Sequence, residues 1–402
     1  MSSPDKAARH AKFADLWNDI RDELVDNFKS SGNMPQDAID WYSRNLDYNV
    51  PGGKLIRGMS VVDSVEILKG RALTDEEYLK AAVLGWCIEI DMLLNEPIRQ
   101  LQAFFLVYDD VMDSGVTRRG QPCWYRVDKP AKVGTIAVND SFLLESATYF
   151  LLKKHFKQEA YYVELFELFQ ETGHLTGMGQ LIDLITAPEE AVDLNKFSLD
   201  KYILIANHKT AFYSCYLPVA LALRMCGVPD SYIDPSTGAT IEPYETSKTI
   251  LIPMGEYGQV QDDFLDFSAT PVQIGKVGTD IVDNKCSWVI NTALAIATPE
   301  QRSILDQNYG IKPNEAEKAR ARQMTEDKNG EEQGYLGEAE KRVKAVFEEM
   351  GIRQKYHEFE EKSYKQLTEM IDAIPEVPQG QEGVLRREVF TSFLSKVYRR
   401  QK

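Results

Sequence analysis

The chain has 402 residues, of which 43% are hydrophobic, so it has ample apolar material for one large helical domain or for two to three ordinary ones. Its formal net charge of −16 argues against a nucleic-acid partner and against an anionic membrane surface. The five cysteines are odd in number and form no CxxC pair, which indicates reduced thiols in a cytoplasmic setting, without a zinc site or a disulfide frame.

The first helices are amphipathic. The N-terminus is too polar for a signal peptide, and no apolar run in the chain approaches the roughly 20 residues of a membrane span. Apolar residues at helical spacing predict a helix over 7–28, and a second is predicted over 35–45. A third helix is predicted to begin after Pro51 and to carry Lys54 and Arg57 near its N-terminus. Being three residues apart, these two cations could face one anion together.

A helix is also predicted over 75–89, and the sequence that follows it departs from a regular helical pattern. Pro97 stands in the middle of residues 90–100, where it predicts a kink or an inserted loop because proline breaks a helix interior. The apolar run 101–110 then predicts a helix whose C-terminal end carries three acids, Asp109, Asp110 and Asp113.

These three acids predict a metal site. Asp109 and Asp113 lie one turn apart on one helix face, whereas Asp110 points about 100° round. The two stacked carboxylates repel each other unless a multivalent cation lies between them, and hard oxygen ligands suit Mg²⁺. Arg118 and Arg119 follow directly, so acids and guanidinium groups together could hold a metal-bridged phosphate group.

The middle of the chain predicts further helices. Buried helices are predicted within 133–156 and over 161–185, and the second of these carries Gln180 and Asp183. Residues 199–227 are strongly apolar and contain Pro218, which should bend the helix. The polar stretch 229–248 is typical of a loop.

A second acidic motif follows on another apolar helix. Asp262, Asp263 and Asp266 repeat the spacing of the first motif, and two such motifs are hard to explain as solvated acidic faces. Turn residues after it carry Lys276 and Lys285. An exposed connector is predicted near 324–336, followed by helices over 337–350 and 353–374 and a short final helix. No strand-like alternation is long enough to predict a sheet, so the predicted fold class is all-α.

The motifs occur in one order along the chain: KLIRG, DDVMD, RR, GQLIDL, KT, QVQDDFLD, K and DNK. This ordered set resembles the eukaryotic farnesyl diphosphate synthases from about Gly52 to Trp288. The resemblance implies a single domain of about ten long helices around a deep central cavity, with insertions near 90–100 and 230–247. It also implies a homodimer and three Mg²⁺ ions held between two acidic motifs that face each other across the mouth of the cavity.

The resemblance further implies residue roles. Asp109 and Asp113 would ligate two ions and Asp262 the third, with Asp110, Asp263 and Asp266 in supporting places. The allylic diphosphate would be held by Arg118, Lys209, Gln259 and Lys276. The diphosphate of isopentenyl diphosphate would be held by Lys54, Arg57, Gln102 and Arg119. Lys285 corresponds to the second lysine after the acidic motif, and Arg399 and Arg400 to a basic tail that closes over the site.

The implied reaction forms an allylic cation, which needs a stabilised diphosphate leaving group and a dry site rather than a protein nucleophile. The Thr210 hydroxyl, the Lys209 carbonyl and the ring of Phe105 could steady that cation. Phe104 and Phe105 lie about one turn deeper than Asp109, and in the family such a pair accompanies a C15 product. The alternative is that they are ordinary core phenylalanines.

Several features depart from the family pattern. Ile56 replaces a polar residue, Gly258 replaces an aromatic residue beside the isopentenyl site, and Tyr108 replaces a small or aliphatic residue. Together with the insertion at 90–100, these departures leave open a C10 or C20 product. Two other classes stay open: a class I terpene cyclase, disfavoured by the second full DDxxD, and a non-catalytic helical protein, disfavoured by the retained lysines and arginines.

Overall fold

The computed structural model describes residues 3–51, 55–91, 107, 110–112, 117–118, 121–188, 191–270, 278–314, 316–317, 337–378 and 380–398. The helices of the first half are α1 (Ser3–Ser30), α2 (Gln36–Asn49), α3 (Ile56–Lys69), α4 (Asp75–Asp91), α5 (Ile136–Phe156) and α6 (Tyr162–Thr186). One continuous helical run then consists of α7 (Leu199–Ala206), a π-helical segment (Asn207–Tyr216) and α8 (Leu217–Met225). The remaining helices are α9 (Pro243–Ser268), α10 (Trp288–Ile296), α11 (Pro299–Asn308), α12 (Glu338–Glu349), α13 (Ile352–Asp372) and α14 (Arg387–Val397).

The all-α prediction is confirmed, although the described residues contain more helices than the ten expected. Sheet within the described ranges is limited to two antiparallel pairs of two-residue strands. β1 (Thr117–Arg118) pairs with β2 (Gln121–Pro122), and β3 (Tyr232–Ile233) pairs with β4 (Thr240–Ile241). The predicted loop at 229–248 was therefore wrong in part, because it contains the β3–β4 hairpin and the first turns of α9.

The long helices pack into two apolar clusters. The larger one includes α1, α3, α4, α5 and α8, and at its centre the ring of Phe13 stacks on Trp86 with a centroid distance of 5.1 Å. The smaller one surrounds the C-terminal half of α9, where Phe264 stacks on Tyr356 at 3.8 Å. Met254 and Tyr257 of α9 belong to the first cluster and Val260 to the second. The second acidic motif therefore begins where the two clusters meet.

A buried carboxylate joins the segment after the first acidic motif to the helices beside it. Asp140 of α5 is fully buried and accepts hydrogen bonds from the indole N–H of Trp41 at 2.9 Å and of Trp124 at 2.8 Å. Its backbone oxygen accepts a third from the Asn45 side chain at 3.1 Å. Because Trp124 follows the β1–β2 pair directly, this junction fixes the end of the segment that carries Arg118.

Replacing Asp140 by leucine is expected to lower the free energy of unfolding by about 2 to 4 kcal/mol, because two indole N–H groups would lose their acceptor in a dry site. Asp140→Asn, which keeps one acceptor oxygen, should lose about half of that. Chemical denaturation followed by circular dichroism measures both. Equal stability of the leucine variant and the wild type would show that the indoles find other acceptors.

Some sequence predictions lie outside the described residues, among them the core of the insertion at 92–100 and the connector at 324–336. No helix within the described part of the chain is long and apolar enough to cross a membrane.

Candidate active site

The π-helical segment is the element around which the candidate site is arranged. It carries Lys209 and Thr210, which are 7% and 5% exposed. Two neighbouring helices approach its backbone through glycines: a Cβ at Gly179 of α6 would lie 2.7 Å from the Lys209 Cα, and a Cβ at Gly255 of α9 would lie 2.5 Å from the Ala211 Cβ. Any larger residue at either glycine would push the segment away.

Proline explains where the π-helical segment ends. The sequence places a bend at Pro218, and the structure has the wider π-helical geometry up to Tyr216, two residues before this proline. Proline has no backbone N–H, so a change of helix type next to it leaves no donor unpaired.

The ammonium group of Lys209 meets a buried carboxylate from α6. Its Nζ lies 2.5 Å from Asp183 Oδ2, and the Nζ of Lys285 lies 3.7 Å from the same oxygen. Burial alone would raise the pKa of Asp183, but the charges of Lys209 and Lys285 outweigh it and lower the pKa to about 2. The structure therefore brings two of the predicted diphosphate-binding lysines to one carboxylate.

Thr210 begins a hydrogen-bonded chain that reaches the second acidic motif. Its hydroxyl donates to Gln259 Oε1 at 3.1 Å, and Gln259 Nε2 donates to Asp263 Oδ1 at 2.8 Å. The other oxygen of Asp263 accepts the backbone N–H of Trp288 at 2.7 Å. Burial raises the pKa of Asp263, even though these donors lower it. Gln259 is thus held in one orientation between Thr210 and Asp263.

The three acids of the second motif have different surroundings. Asp266 accepts the backbone N–H groups of Thr279 at 3.3 Å and of Asp280 at 3.1 Å, so it binds the turn after α9. Asp263 binds the start of α10, as described above. Asp262 is 7% exposed and lines a cavity. The role of Asp262 as a metal ligand, with the other two acids in support, stays a prediction.

The cavity beside Asp262 has a volume of about 70 Å³ and lies between α3, the π-helical segment, α9 and α14. Its polar lining residues are Arg57, Ser60, Thr210, Ser214, Gln259, Asp262 and Lys396. Ile56 and Gly258, the two positions that depart from the family pattern, line the same cavity. Residues far apart in the sequence therefore share one space, with cations and a carboxylate in its wall.

Arg57 is held in this wall by contacts that include Ser214 and Tyr213. It is 8% exposed, its Nε donates to Ser214 Oγ at 3.0 Å, and its guanidinium lies 5.4 Å from the ring centre of Tyr213. The next residue, Gly58, donates its backbone N–H to the buried carboxylate of Glu89 at 2.8 Å. The N-terminus of α3, where the sequence predicts an anion site, is thus fixed to α4.

The last described helix closes the cavity. Lys396 of α14 donates to Ser60 Oγ at 3.1 Å and to Asp63 Oδ2 at 2.9 Å, both on α3. Phe393 and Val397 of the same helix contribute apolar lining. The sequence predicts a basic closing element at Arg399 and Arg400, which lie outside the described residues, so Lys396 is the nearest described cation of this helix to that position.

The first acidic motif is described only in part. Val107 and residues 110–112 are helical, and Asp110 is 5% exposed. Burial is the main reason why the pKa of Tyr48 is raised, and the charge of the nearby Asp110 adds to it. The other site residues of the prediction that lie outside the described residues, or whose side chains do, are Lys54, Gln102, Phe104, Phe105, Asp109, Asp113, Arg118, Arg119 and Lys276.

The acidic residues that the structure does describe were tested for a metal centre. No group of three histidines, cysteines, aspartates or glutamates among them is arranged to hold an ion. Asp262 offers carboxylate oxygens in the cavity wall, which is the donor type that Mg²⁺ prefers. The described part of the site therefore offers a donor that suits Mg²⁺, while ligation by Asp109 and Asp113, which lie outside the described residues, stays a prediction.

Several contacts of the site have no signal in the sequence. The meeting of Asp183 with Lys209 and Lys285, the acceptor role of Ser214 and the position of Lys396 all join helices that are distant along the chain. The sequence marked Asp183 only as part of GQLIDL. Spacing within one helix predicts which residues share a face, but it does not predict which face meets another helix.

Comparison with known proteins agrees with this arrangement. Residues 39–326 match the family model for polyprenyl synthetases. The chain is 55% identical over 401 residues to the farnesyl pyrophosphate synthase of Ganoderma lucidum, covering 99% of both chains, and 46% identical over 401 residues to that of Saccharomyces cerevisiae, again covering 99% of both. A structure of Trypanosoma brucei farnesyl diphosphate synthase complexed with risedronate superimposes with a TM-score of 0.77 at 27% identity, covering 98% of this chain and all of the other.

Proposed function

Because the chain belongs to the polyprenyl synthetases, and within them to the eukaryotic farnesyl pyrophosphate synthases, we propose that it is a prenyltransferase that makes farnesyl diphosphate. It would condense isopentenyl diphosphate first with dimethylallyl diphosphate and then with geranyl diphosphate. The observation that carries this proposal is the identity to the Ganoderma enzyme over nearly the whole of both chains. The geometry of the site supports it, because one cavity wall contains Arg57, Thr210, Gln259 and Asp262.

The proposed cofactor is Mg²⁺, with three ions expected. Asp109, Asp113 and Asp262 would hold them, and Asp110, Asp263 and Asp266 would support these ligands from the protein side. Bound Mg²⁺ neutralises charge on a diphosphate leaving group. The carboxylates are hard oxygen donors, and the site offers neither thiolates nor imidazoles among the residues proposed as ligands.

The cationic side chains would bind and orient the two diphosphates. Lys209 and Lys285 converge on one point and would donate to the allylic diphosphate, together with Arg118 and Lys276. Arg57, Lys54, Gln102 and Arg119 would bind isopentenyl diphosphate. The guanidinium group of Arg57 is suited to this role because it presents several donors in a fixed plane and is already held by Ser214 and Tyr213.

After the diphosphate leaves, the allylic cation needs a water-free surface with weakly polar groups. It does not need a protein nucleophile. The Thr210 hydroxyl donates to Gln259, so its oxygen keeps lone pairs that can face a developing cation. Burial of Lys209, Thr210 and Gln259 excludes water that would otherwise capture the cation. The double bond of isopentenyl diphosphate then attacks, and the proton lost afterwards goes to the released diphosphate.

The product is tested by incubating the enzyme with labelled isopentenyl diphosphate and either the C5, the C10 or the C15 allylic diphosphate, followed by chromatography of the products. A C15 product from the first two substrates, with no extension of the third, is the expected result. Accumulation of a C10 or C20 diphosphate would show a changed chain length, in which Phe104, Phe105 or the departures at Ile56 and Gly258 are involved. Release of a hydrocarbon without consumption of isopentenyl diphosphate would favour a cyclase.

We also propose that the protein acts as a homodimer in the cytoplasm. Helices α5 and α6 expose an apolar stripe, here called the α5–α6 stripe, which consists of Phe142, Val163, Phe166, Met178, Leu181 and Ile185. Leu181 and Ile185 are 58% and 63% exposed and lie one turn apart on α6. A contiguous apolar surface of this kind is typical of a protein interface, and a second copy of the chain offers the matching surface.

Introducing glutamate at Leu181 and Ile185 together is expected to convert the dimer to a monomer. Each chain would bring two negative charges to the interface, so the symmetric dimer would have to bury four of them. Light scattering coupled to size-exclusion chromatography gives the mass directly. The matched control is Ile233→Glu, since Ile233 is 71% exposed in β3 and away from the stripe. A wild-type mass of one chain, or a dimer that survives the double substitution, would contradict the proposed interface.

A further inference from the structure

We infer that Asp183 is a positioning residue of the reaction: its carboxylate gathers the ammonium groups of Lys209 and Lys285, which come from two separate elements, into one place for the allylic diphosphate. This inference rests on the proposed function. It gives a role to the GQLIDL motif, which the predicted site residues leave unused.

The geometry of the cluster supports the inference. Asp183 lies near the C-terminus of α6, Lys209 in the π-helical segment and Lys285 in the loop before α10. Both nitrogens approach the same atom, Asp183 Oδ2, at 2.5 Å and 3.7 Å. The side chains of Asp183 and Lys209 are 10% and 9% exposed, whereas that of Lys285 is 30% exposed. One end of the cluster is therefore buried and the other end can be reached from solvent.

Electrostatics gives the carboxylate its function. Two ammonium groups this close to one point repel each other, and the repulsion is strong where water is scarce. The carboxylate between them offsets that repulsion and keeps both lysines charged and close together. Replacing it by a neutral amide would leave two cations that separate or lose a proton.

Helix α6 contacts Lys209 both at its backbone and at its ammonium group. Gly179 lets the backbone of α6 approach the backbone of Lys209, and Asp183, one turn later on the same helix, binds the ammonium group. A lysine side chain loses rotamer entropy when it is immobilised, and here that loss occurs before the substrate binds. Hydrogen-bond donors that are positioned before the substrate binds stabilise a leaving diphosphate better than donors that must first reorganise.

The test is Asp183→Asn in the full-length enzyme, measured with geranyl diphosphate and isopentenyl diphosphate varied separately. We expect kcat to fall about 100-fold and KM for geranyl diphosphate to rise, while KM for isopentenyl diphosphate stays within about twofold of the wild type. Asp183→Glu, which keeps the charge, should recover part of the loss. A purely structural role would change the KM values of both substrates alike and would not be rescued by charge.

Two controls make the result decisive. Asp234→Asn alters another buried aspartate, which accepts four hydrogen bonds within the turn of β3–β4, and should lower the melting temperature without changing either KM. Lys285→Met combined with Asp183→Asn should cost less than the sum of the two single changes, because both act on one cluster.

The inference is overturned if Asp183→Asn has wild-type kinetics, if its effects fall equally on both substrates, or if the double change is additive. Calorimetric titration with inorganic diphosphate separates these outcomes from failure of the proposed function. If the wild-type enzyme condenses no substrates, the proposed function fails, whereas weaker diphosphate binding by Asp183→Asn than by Asp234→Asn would still support the role of Asp183.

Discussion

Replacing Asp262 by alanine is expected to lower kcat for condensation about a thousandfold while the melting temperature changes little. Asp262 is the one acid of the second motif that lines the cavity, whereas Asp263 and Asp266 accept backbone N–H groups. Its carboxylate is the proposed ligand of one Mg²⁺ ion, and loss of charge stabilisation on the leaving diphosphate raises the barrier directly. Steady-state kinetics at saturating magnesium measures the effect.

Two matched variants serve as controls for that experiment. Asp306→Ala removes an exposed acid of α11 that pairs with Arg302, and it should leave kcat unchanged. Asp266→Ala should instead lower stability, because the N–H groups of Thr279 and Asp280 lose their acceptor. Near-normal turnover by Asp262→Ala would remove the basis for the metal assignment.

Replacing Gly255 by alanine is expected to lower the free energy of unfolding by about 2 kcal/mol and to lower kcat as well. The new Cβ would lie 2.5 Å from the Cβ and 2.7 Å from the Cα of Ala211, so α9 and the π-helical segment would have to separate. Thr210 and Lys209 lie one and two residues before Ala211 and would move with it. Thermal denaturation and kinetics with geranyl diphosphate measure the two effects.

Gly258→Ala is the matched control, because it makes the same change one turn later on the same helix. Its Cβ would meet only Val397 Cγ1, at an ordinary contact distance of 3.8 Å. Alanine is favoured over glycine in a helix by up to about 1 kcal/mol, so this variant should be as stable as the wild type or more stable. If Gly255→Ala behaves in the same way, the close approach of the two elements is not a constraint on the fold.

The sequence was sufficient to predict most of the helices, since their apolar residues recur at helical spacing. The predicted helix over 7–28 corresponds to Ser3–Ser30, and that over 161–185 to Tyr162–Thr186. Helix ends were less accurate, because the end of a helix depends on contacts from outside it. The β3–β4 hairpin was missed because its strands contain only two residues each, which is too short for any alternation.

The candidate site was predictable only where residues share a helix. The acidic spacing singled out Asp262, Asp263 and Asp266, and the structure gives each of them different surroundings. The π-helical segment had no signal, because residue spacing along a single helix does not distinguish π-helical from α-helical geometry. The cluster of Asp183, Lys209 and Lys285 joins three elements, so only tertiary packing brings it together.

The hydrogen bond from Lys396 to Ser60 joins two residues that are 336 positions apart, and both line the same cavity. During translation, Ser60 and the rest of α3 are synthesised early, whereas α14, which also lines the cavity, is complete only after residue 397 has been added. Until then the groove between the other elements lacks the side chains of α14. A bulky fusion placed directly after α14 should therefore impair substrate binding before it impairs folding, whereas the same fusion before α1 should be tolerated.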